Sequence, residues 1–565
     1  MRKRRFIVEL IKPSHYDDDG YVIQWVKSWV PSNSLACLYA IAQDAAANRV
    51  LGDDVDIEVH AYDECHTVIP IRRIARRIKA ADAGIVCLVG VQSNQFPRAM
   101  ALAAPFRAQG IAVAAGGFHI SGCLSMLPEL PPDIEQMKEL GVSLFAGEAE
   151  GQLGDLFADA FNGALKPIYN FMDGLPALQG QVTPFLPVKI LRRYSDTLGA
   201  FDAGRGCPFQ CSFCTIINVQ GRKSRWRDAD DVEALVRANL AQGVYRFFIT
   251  DDNFARNRNW EAIFDRLIEM REREKLNLQF IIQVDTLCHR IPYFVEKAAR
   301  AGCTRVFIGL ENINPDNLLT AKKKQNRVPE YRNLFIAWRA HRVTTYAGYI
   351  IGFPNDTLER VANDLKTIQN ELAVDFLEFF MWTPLPGSAD HLQLYKAGVW
   401  MDPDKYDLEH ATTGHANMSA AEWQALYRQA FDLYYSPEHI ERLLRRAKAS
   451  GIKPVRLVTH VMQFYFTFMQ EKVHPLQGGL FRRKIRTQRR PGLKRENPLL
   501  FYPRRVLEIV TTHVKLARYY LFLHRLRRKV ERDAAPYSDR ALTPVDAEGA
   551  VLPRAPTKKP TAVAA

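Results

Sequence analysis

Three closely spaced cysteines constrain this 565-residue chain more than any other feature of its sequence. Cys207, Cys211 and Cys214 follow the pattern C-x3-C-x2-C, which places three thiolates on one short loop. A [4Fe–4S] cluster has four irons, so three cysteines leave one iron open to a small molecule. Zinc is the alternative, but a structural zinc site needs a fourth Cys or His nearby. The next cysteines, Cys288 and Cys303, stand alone in other segments, and the spacing therefore favours the cluster.

This loop, with Phe213 directly before the third cysteine, resembles the signature of the radical S-adenosylmethionine (radical SAM) enzymes. The resemblance implies that the open iron binds the amino and carboxylate groups of S-adenosylmethionine. It also implies that an electron from the cluster cleaves the sulfonium and releases a 5′-deoxyadenosyl radical. Such a reduction needs a strongly negative potential, and Fe–S clusters reach about −700 mV.

The length of the chain allows two or three domains with full-sized cores. The apolar run Phe6–Ile11 follows a basic start, but it is short and contains Glu9, so it predicts a buried strand rather than a signal peptide. No window offers about 18 uninterrupted apolar residues, and we therefore predict no transmembrane helix. The six other cysteines are scattered singly, which suits buried thiols in a reducing cytoplasm.

Residues 1–165 alternate apolar, strand-like runs with helical stretches. This alternation predicts a doubly wound parallel sheet, whose ligands lie at the carboxyl ends of its strands. The predicted strands are Phe6–Ile11, Val55–His60, Gly84–Val91, Ile111–Ala115 and Ser143–Ala146.

The strand ends of this region, Gly116-Gly117-Phe118-His119 and Gly147-Glu148-Ala149-Glu150 among them, resemble the cobalamin-binding domain that precedes many radical SAM barrels. The resemblance implies cobalamin contacts at Gln92, Ser93, Gly116, Gly117, His119 and Glu148. The D-x-H-x-x-G segment that supplies a histidine to cobalt in some of these domains is absent, so we expect no histidine below the cobalt. A sheet that has lost the cofactor and only shapes the substrate site is the alternative. His119 could equally close a turn.

Strands and helices alternate again over residues 198–410, after a Pro- and Gly-rich segment at 166–197 that predicts a linker. The pattern predicts six βα units, as in the partial (β/α)6 barrel of the radical SAM family. The candidate strands are Ala200–Arg205, Tyr245–Thr250, Gln279–Val284, Arg305–Leu310, Tyr346–Gly352 and Phe376–Trp382.

The carboxyl ends of these strands carry the polar residues. The resemblance implies that Asp251, Asp252 and Glu311 lie near the amino group of S-adenosylmethionine, where a carboxylate forms a short, directional bond. In the alternative reading, the Asp-Asp-Asn run caps the next helix and Glu311 forms a barrel salt bridge.

Four further contacts with S-adenosylmethionine follow from the same resemblance. Gln283 and Asp285 are expected to reach the ribose hydroxyls, and Phe213 to pack against the adenine unless it is a core residue. Ile351, beside Gly352-Phe353-Pro354, is expected to contribute its main chain to nucleoside binding.

Residues 411–533 are predicted to be helical and basic, beginning with a capping box at Ser419 and Glu422. The stretch 441–533 holds 24 Lys and Arg against 6 Asp and Glu, while the whole chain has a net charge of +14. Aromatic residues lie between the charges, most densely in the apolar run Val461–Met469. Three interpretations remain open: a membrane-surface helix, a solvated cap over the barrel, and a nucleic-acid surface. Residues 534–565 are predicted to be disordered.

These features predict a cytoplasmic radical SAM enzyme, at the inner face of the membrane if the basic helices bind lipid. The resemblance implies a cobalamin-dependent methyltransferase that modifies an unactivated carbon of an apolar substrate such as a lipid, terpenoid or tetrapyrrole. A flavodoxin or ferredoxin would supply electrons. The alternatives are a radical SAM cyclase or oxidoreductase without methyl transfer, an RNA-modifying radical SAM enzyme, and a metal-stabilised basic binding protein without activity.

Overall fold

A computed structural model describes residues 2–399 and 402–545. Its first part contains seven strands: β1 (Arg4–Lys12), β2 (Gln24–Ser28), β3 (Val55–Asp63), β4 (Ala83–Leu88), β5 (Ala112–Gly116), β6 (Ser143–Ala146) and β7 (Ile168–Asn170). Six helices accompany them: α1 (Asn33–Ala47), α2 (Ile71–Lys79), α3 (Phe96–Arg107), α4 (Phe118–Met126), α5 (Pro132–Glu139) and α6 (Leu153–Phe161).

Six of these strands form a wholly parallel sheet in the order β3-β1-β4-β5-β6-β7. Helices α1 and α6 pack on one face of the sheet, and α2, α3 and α5 pack on the other. The predicted doubly wound sheet is therefore confirmed. The strand order reverses between β1 and β4, and ligands of such sheets bind at the carboxyl ends beside a reversal. Strand β7 lies in the predicted linker 166–197 and extends the sheet.

The second part holds strands β8 (Gly199–Phe201), β9 (Gly204–Arg205), β10 (Arg225–Trp226), β11 (Arg246–Ile249), β12 (Gln279–Val284), β13 (Cys303–Glu311), β14 (Thr344–Ile351) and β15 (Phe376–Met381). Its helices are α7 (Val188–Leu191), α8 (Ile216–Val219), α9 (Ala229–Ala241), α10 (Trp260–Glu272), α11 (Phe294–Ala301), α12 (Pro315–Thr320), α13 (Tyr331–Ala340), α14 (Leu358–Glu371) and α15 (Ala389–Lys396).

Six of these strands pair in parallel in chain order, β8-β11-β12-β13-β14-β15, which confirms the predicted six βα units. The first predicted strand, Ala200–Arg205, is divided in the structure. Strand β8 joins the barrel sheet, whereas β9 leaves it and pairs antiparallel with β10. The division places the cysteine loop, which begins directly after β9, above the carboxyl end of the sheet.

The last part is helical, as predicted: α16 (Ala420–Tyr434), α17 (Pro437–Ala449), α18 (Pro454–Val461), α19 (Thr467–Glu471) and α20 (Pro498–Arg532), with strand β16 (Gly479–Arg483) between α19 and α20. The Ser419–Glu422 capping box starts α16. Strand β16 pairs antiparallel with β2, which ties this region to the N-terminal part. No helix among the described residues is both long and apolar enough to cross a bilayer.

The structure shows how one apolar segment packs, and it contradicts the prediction for a second segment. The apolar run Val461–Met469 is mostly buried, with Phe464 and Phe468 in the core against Phe376 and Phe431. Residues 534–545 of the predicted disordered tail are ordered, because Asp539 bonds Arg446 at 2.7 Å. The remaining tail residues, 546–565, lie outside the described residues.

Candidate active site

The three cysteines lie on the loop that joins β9 to α8. None of them forms a disulfide; Cys211 is buried, and Cys207 and Cys214 are partly exposed. Burial raises the pKa of the Cys214 thiol to about 12, so a bound metal has to displace its proton. The Gln325 amide lies 3.4 Å from the Cys211 sulfur. Within the described residues, no three His, Cys, Asp or Glu side chains surround a single-ion site. Three unpaired thiols on one loop fit three corners of a cluster.

The backbone before the first cysteine requires glycine. Gly206 has φ +87, and a Cβ atom there would lie 2.5 Å from the Lys223 carbonyl oxygen. This conformation turns the chain sharply after Arg205, so that the Arg205 side chain points back toward the N-terminal sheet while Cys207 enters the loop.

The two aspartates that follow β11 have different surroundings. Asp251 is buried and accepts bonds from the Ala203 N–H at 2.7 Å and from Asn257 at 2.9 Å, so its carboxylate fixes the backbone before the cysteine loop. Asp252 accepts one bond, from the Gly206 N–H at 3.3 Å, and is close enough to Cys207 to act on its thiol. Burial raises the pKa of Asp252 to about 7. A ligand that donates hydrogen bonds would favour its ionised form, so Asp252 is the better candidate for the amino group.

The two predicted ligand residues at the end of β12, Gln283 and Asp285, differ in how many hydrogen bonds they already form. Asp285 is fully engaged: Arg256 donates to both of its oxygens, at 2.6 and 2.9 Å, and Asn253 donates at 3.0 Å. The ribose contact predicted for Asp285 therefore has no free acceptor in this arrangement. Gln283 is half-buried and donates one long bond, 3.4 Å, to the Asp251 carbonyl. Gln283 thus keeps hydrogen-bonding capacity for a ligand.

A buried lysine that the sequence analysis did not single out completes this end of the barrel. Lys323 forms a salt bridge with Glu311, and its Nζ atom lies 5.6 Å from the centroid of the Phe213 ring. Burial lowers the pKa of Lys323, but the Glu311 carboxylate and the thiols of Cys211 and Cys214 together raise it by more, so the net pKa is raised. Lys323 also lies close enough to Cys211 and Cys214 to interact electrostatically with them. Glu311 and Lys323 therefore offer an anion and a cation beside the cysteine loop.

Ile351 does not have the free main chain predicted for it. Its carbonyl accepts from the Trp423 indole at 3.1 Å and from the Trp382 N–H at 2.9 Å, and its side chain is wholly buried. The preceding residue, Ile350, lies on the other face of β14 and clusters with Phe353 and Phe213. The register of β14 therefore makes Ile350, rather than Ile351, the residue beside the predicted adenine position.

A cavity lies at the reversal of the N-terminal sheet, where the sequence predicted a ligand. One side of its lining is apolar and includes Leu10, Ile41, Cys87 and Leu156. The last residue of β5, Gly116, and the next residue, Gly117, also line it. A Cβ atom on Gly117 would lie 2.1 Å from the Val91 nitrogen, so only glycine permits this close approach. The other wall belongs to the barrel part and consists of Arg205, Val219 and Gln220.

Three of the six predicted cobalamin contacts line this cavity, namely Gly116, Gly117 and Glu148. The other three lie outside its lining. Gln92 is exposed and starts a short helical turn, while Ser93 and His119 bond each other at 3.0 Å. The second nitrogen of His119 lies 3.0 Å from Asp133, so both ring nitrogens have partners within the N-terminal part. The structure thus favours the turn-closing interpretation of His119.

Glu148 and Glu150 form salt bridges with arginines that lie close to the cysteine loop in the chain. Arg205 contacts Glu148 and Glu150 at 2.6 Å each, and Asp202 at 3.1 Å. Arg225 also contacts Glu148, and Arg227 contacts Asp202. We call these six residues the interdomain ionic network. All of them are largely buried, so the network holds the cavity of the N-terminal sheet against the loop that carries the cysteines.

Sequence reasoning missed Arg205 and Lys323 for identifiable reasons. Arg205 stands between two glycines two residues before Cys207, and its position in the motif was the only available signal. Lys323 lies in the run Lys322-Lys323-Lys324, a pattern that is typical of a solvated surface. Only the fold reveals that the middle lysine is buried.

Comparison with known proteins agrees with this geometry. Residues 203–368 match the sequence model of the radical SAM superfamily. Bacteriochlorophyllide d C-12(1)-methyltransferase of Chlorobaculum tepidum is 28% identical over 54% of this chain and 64% of its own length, just under two thirds. Hopanoid C-2 methylase of Rhodopseudomonas palustris is 24% identical over 54% of this chain and 56% of that protein.

A solved structure shares the fold. The radical S-adenosylmethionine methyltransferase TsrM from Kitasatospora setae, determined with cobalamin and a [4Fe–4S] cluster bound, is 15% identical. The match covers 75% of this chain and 84% of TsrM with a TM-score of 0.52.

Proposed function

We propose that this radical SAM protein, with its N-terminal domain of the cobalamin-binding type, is a cobalamin-dependent methyltransferase acting on an unactivated carbon of an apolar substrate. The observation that carries the proposal is that the cavity of the N-terminal sheet and the cysteine loop are adjacent. Arg205 lines the cavity at the edge of the N-terminal sheet and lies two residues before Cys207. A group in the cavity and a cluster on the loop would therefore be neighbours, as methyl transfer between bound cofactors requires.

Each cofactor has residues that suit it. Cys207, Cys211 and Cys214 would hold the cluster, and the glycine edge and apolar wall of the cavity would hold cobalamin. When bound, the cluster would supply the electron that cleaves S-adenosylmethionine, the cleaved S-adenosylmethionine the radical that abstracts hydrogen, and cobalamin the methyl group. Among the described residues that line the cavity there is no histidine.

The barrel residues would orient S-adenosylmethionine and exclude water. The amino and carboxylate groups would face the open iron; we propose that the N–H bonds of the amino group are donated to Asp252 and Glu311, and that the carboxylate also accepts from the Lys323 ammonium. Binding would then exchange the Glu311–Lys323 salt bridge for two bonds to the ligand, which keeps both buried groups hydrogen-bonded. Phe213 and Ile350 would cover the adenine.

We propose an apolar, ring-containing substrate of the lipid, terpenoid or tetrapyrrole class. The support is that two relatives are named for a bacteriochlorophyllide and a hopanoid. A small electron-transfer protein such as a flavodoxin or ferredoxin would reduce the cluster. All nine cysteines are unpaired, which suits a reducing cytoplasm. We place the protein at the inner face of the membrane because helix α20 is basic and exposes apolar side chains.

The Asp252→Asn variant tests the assignment of the amino group. We expect it to weaken binding of S-adenosylmethionine about tenfold to hundredfold, since a charge-assisted hydrogen bond contributes about 1.5–3 kcal/mol. Equilibrium dialysis under nitrogen with the iron-loaded protein measures the dissociation constant. The exposed Asp230→Asn variant is the control and should bind as the wild type does. An unchanged affinity of Asp252→Asn at full iron content would contradict the assignment.

Anaerobic reconstitution tests the function as a whole. The chain is loaded with iron, sulfide and hydroxocobalamin, and its ultraviolet–visible spectrum is recorded after gel filtration. We expect about four irons and one corrin per chain, and transfer of label from S-adenosylmethionine with a deuterated methyl group to a substrate of the proposed class. Retention of no corrin would overturn the cobalamin proposal. Cleavage of S-adenosylmethionine with bound corrin but no labelled product from any of the three substrate classes would favour a cyclase or oxidoreductase.

A further inference from the structure

The long helix α20 turns an apolar surface toward solvent. Only three of its side chains, Phe501, Leu523 and Val530, are buried, and they face the body of the protein. Ten large apolar side chains of the same helix are between 42% and 81% exposed. They are Leu499, Leu500, Tyr502, Val506, Leu507, Ile509, Val510, Val514, Tyr520 and Leu521, and we call them the outer stripe.

The outer stripe occupies one side of the helix. Residues three, four and seven positions apart share a helix face, and the stripe follows that spacing from Leu499 through Val506 and Val510 to Val514 and Leu521. The buried residues lie on the opposite side. Helix α20 is therefore apolar both where it packs and where it faces solvent. A surface of this size and continuity marks an interaction site.

The stripe continues onto β16. The Phe481 ring, itself 55% exposed, stacks on His513 of α20 with the ring centroids 5.6 Å apart. Leu480, beside it, is also exposed. The apolar surface thus belongs to two elements whose relative position is fixed by packing, so it is a property of the folded protein and not of one helix alone.

Charge decides which partner this surface suits. Helix α20 carries nine Lys and Arg but only two Asp and Glu. A second copy of this chain docked along the same stripe would bring two such basic sets together, and like charges repel. Nucleic acid would match the charge but not the apolar side chains. An anionic bilayer matches both, because acyl chains accept the stripe and lipid phosphates accept the cations.

We propose that α20 and Phe481 form a membrane-docking surface that lies in the plane of an anionic bilayer, with the outer stripe inserted among the lipids. The buried run Val461–Met469, the most apolar part of the region in the sequence, takes no part because it belongs to the core. Docking would bring the protein to an interface where apolar molecules concentrate. The inference does not depend on the proposed reaction.

Vesicle flotation of the full chain tests the docking surface without any cofactor or substrate. We expect binding to vesicles of phosphatidylcholine with phosphatidylglycerol, little binding to phosphatidylcholine alone, and loss of most binding at high salt. Replacing Leu500, Val506, Leu507 and Val510 together by Gln should weaken binding about a hundredfold or more, since four inserted side chains are lost. The same change on Tyr293 and Leu319, exposed apolar residues elsewhere, should have no effect.

A second variant separates the basic contribution. Replacing Arg518, Arg525 and Arg528 by Gln should weaken binding to anionic vesicles about fivefold per residue and flatten its dependence on salt. Far-UV circular dichroism and the thermal melting temperature check that both variants fold as the wild type does.

Three results would overturn the proposal. The first is failure of the wild-type chain to float with anionic vesicles, and the second is flotation that the quadruple Gln variant retains. The third is a wild-type chain that forms a dimer and does not bind vesicles, while the quadruple Gln variant is a monomer. This result would assign the outer stripe to contact with a second copy of the chain. A chain ending at Val545 that binds vesicles when the full chain does not would assign the stripe to residues 546–565.

Discussion

Replacing Cys214 by serine is expected to abolish cleavage of S-adenosylmethionine and to lower the iron content well below four per chain. A [4Fe–4S] cluster held by three cysteines has no spare protein ligand, so loss of one thiolate leaves two irons without side chains. The loop itself should keep its shape, because serine has nearly the same size and the Cys214 N–H bond to the Cys211 carbonyl, 3.2 Å, is unaffected. Iron and sulfide analysis, together with release of 5′-deoxyadenosine under dithionite, measures the effect.

The Cys65→Ser variant is the matched control, since Cys65 is a partly exposed single cysteine of the N-terminal part. It should retain iron and cleave S-adenosylmethionine at the wild-type rate. Wild-type protein with one zinc per chain, or a Cys214→Ser protein with full iron and full cleavage, would show that another ligand set holds the metal. Either result would remove the basis of the proposed reaction.

Replacing Arg205 by methionine is expected to lower the free energy of unfolding by about 3–5 kcal/mol and to reduce cobalamin retention. The guanidinium is the shared partner of Glu148, Glu150 and Asp202. Its removal leaves the buried Glu150 without a counter-charge, and leaves Glu148 and Asp202 with one arginine each, Arg225 and Arg227. The same carboxylates lie beside the cavity, so their repulsion would open the contact between the sheet and the cysteine loop. Urea denaturation and the spectrum after loading with hydroxocobalamin are the two measurements.

Two variants control this experiment. Arg205→Lys keeps the charge but cannot reach three carboxylates at once, so it should recover part of the stability. Arg237→Met removes a guanidinium from an exposed pair with Glu274 and should leave both the denaturation curve and the spectrum unchanged. An Arg205→Met protein with wild-type denaturation and wild-type corrin content would show that the interdomain ionic network does not hold the two sites together.

Much of the fold was predictable because strand and helix signals are local. The apolar runs of the N-terminal sheet and the barrel strands were found within a few residues of their observed ends. Strand β7 was missed because three residues in a Pro-rich segment carry too little pattern. The buried run Val461–Met469 was identified as apolar, but whether it faced lipid or the core depends on helices that contact it from elsewhere in the chain.

The sequence predicted where the polar residues of the candidate site lie along the strands better than it predicted which side chains they bind. Asp251, Asp252 and Asp285 all follow strands, yet only Asp252 is left without a strong partner, because Asn257 and Arg256 engage the other two. The main-chain contact predicted for Ile351 did not take account of Trp423, whose indole occupies the Ile351 carbonyl and lies 72 positions further along the chain.

The amino-acid sequence alone determined the kind of chemistry: three thiols within eight residues, and two series of alternating strands and helices. Ligand spacing on one loop and periodicity within one element involve only neighbouring residues, so they can be read without a fold. The tertiary structure decided which charges meet and which apolar surfaces stay uncovered. Glu148 and Arg205 are 57 positions apart, and the exposure of α20 depends on everything that does not pack against it. Such relations arise only when distant segments are brought together, because burial and pairing are properties of the assembled chain.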